Sequence, residues 1–173
     1  MIGKESPFSI VWLAERVDQE GSERVREQLG PYVLVGEHTG EDDGSWTFAT
    51  STMVNPKVAK ALGVGFDFDR GVVHALEKRT STFAKVILVG RATSNDVRVD
   101  HYSVSKLHAR IRLVEGGFTL EDAGSRNGTW LKGAQIDSVV TVKPGDRVGF
   151  GTCDFTVHES AAFVDVLRRI GPG

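Results

Sequence analysis

The sequence predicts a mainly β protein: an antiparallel β-sandwich with a small α/β extension at its N-terminal end and a helix at its C-terminal end. Three observations predict it. From Gly71 onward, short apolar runs recur at close intervals and are separated by turn-forming residues. Ile111 and Leu113, then Phe118 and Leu120, alternate as the faces of half-buried strands do, on either side of the hairpin pair Gly116-Gly117. The two ends of the chain instead carry apolar residues at helical spacing.

Taken in order, Ser6-Pro7 reads as an N-cap followed by proline in the first turn of a helix from Pro7 to Asp18, with Phe8, Val11, Trp12 and Val17 close to one face. A second helix follows from Glu23 to Leu29, with Val25 and Leu29 one turn apart and Gly30-Pro31 to stop it. Tyr32 to Val35 is a compact apolar run suited to a buried strand, and Ser45 to Thr50 places Trp46 and Phe48 on one face of another. Between them Glu41-Asp42-Asp43-Gly44 reads as a solvated acidic turn, without the pattern of a calcium-binding loop. Asn55-Pro56 marks a break, and Lys57 to Leu62 reads as a helical turn ending at Gly63. Aromatic and aliphatic residues throughout this segment predict folded structure packed outside the sandwich.

The sandwich strands are Val72 to Glu77, Val86 to Val89, Val97 to Val99, Ala109 to Val114, Phe118 to Glu121, Thr129 to Leu131, Val139 to Val142, Arg147 to Phe150 and Phe155 to His158. Ser160 then caps a final helix in which Phe163, Leu167 and Ile170 share one face while Asp165, Arg168 and Arg169 point out, and Gly171-Pro172 ends it. The chain thus divides into an extension (1–69), a β-sandwich (70–159) and a C-terminal helix with its tail (160–173).

Composition excludes several classes of function. The 21 Lys and Arg against 23 Asp and Glu leave no broad basic face for nucleic acid, and no apolar run approaches the ~20 residues that span a bilayer. With Cys153 as the single cysteine, neither an intrachain disulfide nor a cysteine-based zinc cage can form. The first residues lack the apolar core of a secretory signal, so the expected location is cytoplasmic. The five histidines show no metal-ligand spacing, and there is no phosphate-cradling Gly-x-x-x-x-Gly-Lys loop or kinase catalytic set. No cofactor or metal is expected. Ser105, His108 and Asp100 or Asp122 supply the residue types of a hydrolase triad, but no Gly-x-Ser-x-Gly elbow surrounds Ser105.

What remains is concentrated between Val89 and Thr129. Gly90-Arg91, Ser105-Lys106-Leu107-His108 and Ser125-Arg126-Asn127-Gly128-Thr129 fall on three turns between strands. Arginine supplies a planar fork of donors, serine and lysine add more, and an asparagine beside glycine turns sharply while offering its amide. Together they describe a recognition surface for a doubly charged oxyanion, held on loops above a β scaffold.

Gly90-Arg91, Ser105-x-x-His108 and Asn127-Gly128-Thr129, followed by Pro144-Gly145-Asp146 and Phe150-Gly151, resemble a forkhead-associated (FHA) domain over roughly Gly71 to Glu159. The resemblance implies a sandwich whose loops bind phosphothreonine in a partner protein. It assigns the phosphate to Arg91 and Ser105, with Lys106 and Arg126 as further ligand-facing groups, and the peptide backbone to Asn127. It makes Gly90, His108, Gly128 and Thr129 structural supports of the site. The function implied is a non-enzymatic module that binds a phosphothreonine-containing protein downstream of a Ser/Thr kinase, the kinase or its substrate being the partner. The alternative is a scaffold that uses the same fold for phosphorylation-independent assembly.

Overall fold

The computed structural model describes residues 7–37, 70–79 and 85–170. It is a three-layer arrangement of helices, a seven-stranded sheet and a five-stranded sheet. The strands are β1 (Phe8–Ser9), β2 (Tyr32–Glu37), β3 (Gly71–Ala75), β4 (Ile87–Gly90), β5 (Val97–Arg98), β6 (Ala109–Val114), β7 (Gly117–Asp122), β8 (Thr129–Leu131), β9 (Ala134–Gln135), β10 (Val140–Val142), β11 (Arg147–Phe150) and β12 (Cys153–Glu159). The helices are α1 (Ile10–Glu20), α2 (Ser22–Leu29) and α3 (Ser160–Ile170). The larger sheet runs β1-β3-β2-β12-β11-β8-β9 and the smaller β10-β7-β6-β4-β5. The expected β-sandwich with N-terminal helices and a C-terminal helix is therefore the fold.

Three details depart from the sequence expectations. Tyr32–Glu37 does not lie outside the sandwich: β2 is hydrogen-bonded between β3 and β12 near the centre of the larger sheet. Its uniform apolarity has this cause, since Val33 and Val35 pack toward the helices while Tyr32 and Leu34 pack between the sheets. The first helix starts at Ile10, capped by Ser9, whose Oγ accepts the Trp12 N–H. Phe8 precedes the helix, pairing with Val73 in β1 and stacking on Trp12 with ring centroids 5.7 Å apart. The buried stripe of α1 is consequently Ile10, Leu13, Ala14 and Val17, with Val11 and Trp12 only partly buried. Finally, β5 runs parallel to β4, while every other pairing is antiparallel.

The expected strand at Ser45 to Thr50, the acidic turn, the Asn55-Pro56 break, the turn at Lys57 to Leu62, the Ser6 cap, the Ile170 side chain and the Gly171-Pro172 stop lie outside the described residues.

Two apolar clusters share the larger sheet as a common wall. One joins Leu13, Val17, Val25, Leu29, Phe163 and Leu167 of the helices to Val33, Val35, Val73 and Ala75. The other fills the space between the sheets with Leu34, Val89, Ile111, Phe118, Leu120, Phe150 and Val157, among others. The outermost strands β1, β5, β9 and β10 have two, two, two and three residues, which leaves little free edge for pairing with another chain.

Candidate functional site

Strands β4, β6, β7, β8 and β11 deliver their connecting loops to one end of the sandwich. The loops are tied to each other by short polar bonds. Arg91 N–H donates to the Ser105 carbonyl at 2.9 Å and Ala92 N–H to the Lys106 carbonyl at 3.2 Å, which lays the loop after β4 against the loop before β6. Glycine is required at 90 for this approach, because a Cβ there would stand 2.3 Å from the Lys106 carbonyl oxygen and 2.8 Å from the Asn95 amide. Asn95 completes the seam, its Nδ2 donating to the carbonyls of Ala92 and Lys106.

His108 is fully buried at the base of the loops. Its Nδ1 accepts the Ser105 N–H at 3.0 Å, which leaves Nε2 protonated to donate to the Gly128 carbonyl at 2.9 Å. Burial is the largest influence on this ring and holds its pKa below the ordinary 6.5, against the Gly128 bond and the charge of Asp122, which pull the other way. The neutral ring thereby fixes the Ser105 loop to the Gly128 turn. Gly128 itself has φ +85°, and a Cβ on it would meet the Gln135 amide at 2.5 Å.

A second brace centres on Asp122. Its carboxylate accepts N–H groups from Gly124 and Ser125 and hydroxyls from Ser125 (2.5 Å) and Thr129 (2.6 Å). Burial opposes ionisation of this carboxyl, but the four hydrogen bonds outweigh it and hold the pKa below the ordinary carboxylate value. Ser125 Oγ in turn accepts the Gly128 N–H, so the turn from 122 to 129 is closed upon itself.

The outer side of these braces carries the sequence-predicted residues. Ser105 Oγ accepts the Arg126 N–H at 3.0 Å, leaving the hydroxyl proton free to be donated outward. Arg91 and Arg126 are thus each one backbone hydrogen bond from Ser105, with Lys106 next to it in the chain. Arg91, Lys106 and Arg126 are exposed, and none has an ion-pair partner among the described residues. Arg91 Nε rests on the Val104 carbonyl at 3.1 Å. Asn127 is exposed; its Nδ2 donates to the Ser103 carbonyl at 2.8 Å and its own carbonyl accepts the Trp130 indole N–H. The structure brings Gly90, Arg91, Ser105, Lys106, His108, Arg126, Asn127, Gly128 and Thr129 to one end of the molecule, with Gly90, His108, Gly128 and Thr129 buried and the others at least partly exposed.

Sequence reading missed four residues of this end. Asn95 seams two loops, and Asp96 is fully buried while accepting the Leu88 and Arg79 N–H groups and the Lys78 ammonium. Ser103 Oγ accepts Thr152 N–H and hydroxyl. Asp122, read only as the acid of a hypothetical triad, is a loop brace. The Asp122-x-x-Ser125 spacing was the available signal for an Asx-type turn. No triad is assembled, because both ring nitrogens of His108 are engaged by backbone groups and the Ser105 hydroxyl binds Arg126 instead. Among the described residues there is no group of three metal-ligating side chains, and no helix is long and apolar enough to cross a membrane.

Known proteins are similar to this chain over part of its length. The FHA domain profile matches residues 87–151. The glycogen accumulation regulator GarA of Mycolicibacterium smegmatis is 40% identical over 62 residues, which is 36% of this chain and 39% of that protein's length. The oxoglutarate dehydrogenase inhibitor of Corynebacterium diphtheriae is 32% identical over 108 residues, 62% of this chain and 71% of the relative. Among solved structures, the FHA domain of the CT664 protein from Chlamydia trachomatis is similar at 19% identity and a TM-score of 0.46, covering 74% of this chain and 97% of that one. The family profile over residues 87–151, the relative matched over most of its length and the loop framework of the site together place this chain in the forkhead-associated (FHA) domain family.

Proposed function

We propose that this chain is a non-catalytic reader of phosphothreonine, acting downstream of a Ser/Thr kinase in the cytoplasm. FHA domains bind phosphothreonine peptides. The observation that carries the reading for this chain is the arrangement around Ser105: Arg91 and Arg126 are tied to it through their backbone N–H groups, Lys106 follows it in the chain, none of the three has a carboxylate partner among the described residues, and its hydroxyl proton is free to donate. Such a site suits an oxyanion of roughly −1.5 to −2 charge. Arg91 grips two phosphate oxygens through its guanidinium fork, the Ser105 hydroxyl donates to a third, and Lys106 and Arg126 add charge from the flanks. Asn127 fixes the register of the peptide. One Nδ2 proton is committed to the Ser103 carbonyl, which leaves Oδ1 to accept a peptide N–H and the second Nδ2 proton to donate to a peptide carbonyl.

Titrating one threonine peptide in its unmodified and phosphorylated forms tests the reading. Binding of the phosphorylated form alone, weakening as salt rises, is the expected result. Equal binding of both forms would leave a phosphorylation-independent scaffold as the better account.

A further inference from the structure

Tyr102 is the most exposed of the large apolar side chains among the described residues, at 87% of its surface, and it stands on the loop that carries Ser105. Tyrosine joins an apolar ring to a polar tip, which suits it to a contact surface that is wet on one side. This ring is held. It packs on His101 with centroids 4.3 Å apart. The His101 ring is locked in turn, its Nδ1 accepting the Ser103 N–H and lying 2.8 Å from the Ser103 hydroxyl. Ser103 is buried, pinned by Thr152 through its Oγ and by Asn127 through its carbonyl. A ring contact followed by hydrogen bonds therefore connects the exposed tyrosine to the residue proposed to set the peptide's register.

We infer that Tyr102, backed by His101, is a platform for an apolar side chain of the bound phosphopeptide, and so selects threonines that have an aliphatic or aromatic neighbour near them in sequence. This rests on the phosphothreonine reading of the same site. A tyrosine has only two side-chain torsions to fix, so covering its exposed ring costs little conformational freedom and its buried area converts efficiently into affinity. The phosphate supplies attraction common to all phosphopeptides, whereas Tyr102 distinguishes among them.

The test uses the full chain and a set of phosphothreonine peptides in which each flanking position in turn carries Leu, Phe, Ala or Asp, with unphosphorylated controls. Wild-type protein is expected to prefer Leu or Phe over Ala at one flanking position by roughly five- to tenfold. Tyr102→Ala should reduce that preference to less than about twofold while binding the all-Ala phosphopeptide as the wild type does, and Tyr102→Phe should keep the preference. Absence of any apolar preference in the wild type overturns the inference. So does a preference that survives Tyr102→Ala, or a uniform loss on every peptide that Tyr102→Phe shares. An apolar preference independent of phosphorylation would retain the platform and overturn the phosphothreonine reading instead.

Discussion

On the helix-covered face of the larger sheet, Leu13, Val25, Leu29, Phe163 and Leu167 are fully buried side chains that make no hydrogen bonds. At the loop-bearing end of the same sandwich, Ser103, His108 and Thr129 are buried almost as completely, and each is bound by directional polar partners. One region is held by apolar area, which tolerates small changes of shape. The other is held by hydrogen bonds whose loss leaves a buried polar group unmatched. Stability is expected to reside mainly in the first region and ligand geometry in the second, and each prediction below attacks one side of that division.

The largest effect should come from the apolar side. Phe163→Ala removes a fully buried ring from α3 and is expected to cost about 3–5 kcal/mol in urea unfolding. The phosphopeptide Kd of the protein that remains folded should be unchanged. A large shift in Kd would show that the helical layer shapes the loops and would break the comparison.

Arg91→Ala should do the reverse. The loss of charge-assisted bonds worth about 1.5–3 kcal/mol each weakens phosphopeptide binding by about tenfold to hundredfold in a calorimetric titration. Stability should fall by no more than about 1 kcal/mol, since this exposed side chain makes one internal bond, to Val104. Unfolding of the variant would move Arg91 from the ligand to the framework.

His108→Ala sharpens the comparison, because a brace inside the loops should lower stability and binding together, by about 1–3 kcal/mol in unfolding. A stable variant that had lost only binding would make His108 a contact. Acid should act on the same brace. Burial keeps the folded pKa of His108 below the ordinary 6.5, so between those two values the unfolded chain binds the extra proton and stability rises with pH. The contribution of the neutral ring is complete above about 6.5 and is lost as the pH falls toward the folded value. Asp122 adds a later step: its stabilisation is present above the ordinary 3.8 and is lost as pH drops through its depressed folded value. Urea midpoints measured from pH 7 to pH 3 should decline in both windows. His108→Ala should flatten only the upper one.

The smallest effect concerns the ligand. Phosphothreonine is expected to bind more tightly than phosphoserine by the burial of one methyl group, about 0.8 kcal/mol. A glutamate in place of phosphothreonine should bind more weakly than either, with a gentler salt dependence, because its single charge meets the same three cations. Equal affinity for phosphothreonine and phosphoserine would show that the threonine methyl is not buried on binding.

The strands were legible because alternation and turn chemistry agreed. Ala109–Val114, Thr129–Leu131 and Arg147–Phe150 have the expected bounds, and most others differ by one or two residues. β9 was not legible, since Ala134-Gln135 is exposed and carries no apolar signal. The start of α1 was misread because Ser6-Pro7 and Ser9 offer competing caps, and pairing of Phe8–Ser9 with β3 decides between them. At the site, local motifs named the residues on the surface of the loops. The braces beneath them were hidden because Ser103 with Thr152, and Asp96 with Lys78, are joined across long stretches of chain.

The sequence by itself determined the order and period of the strands, the turns that separate them and the residue types able to receive an oxyanion, because these depend on neighbours a few residues apart. Only the tertiary structure decided that β2 sits inside the larger sheet, that Arg91 and Arg126 meet at Ser105, and that Tyr102 stands exposed on a locked histidine. Those facts depend on register between strands and on hydrogen bonds closed across loops distant in the chain. No local pattern of residues encodes them, because their free energy exists only once the sheets have packed.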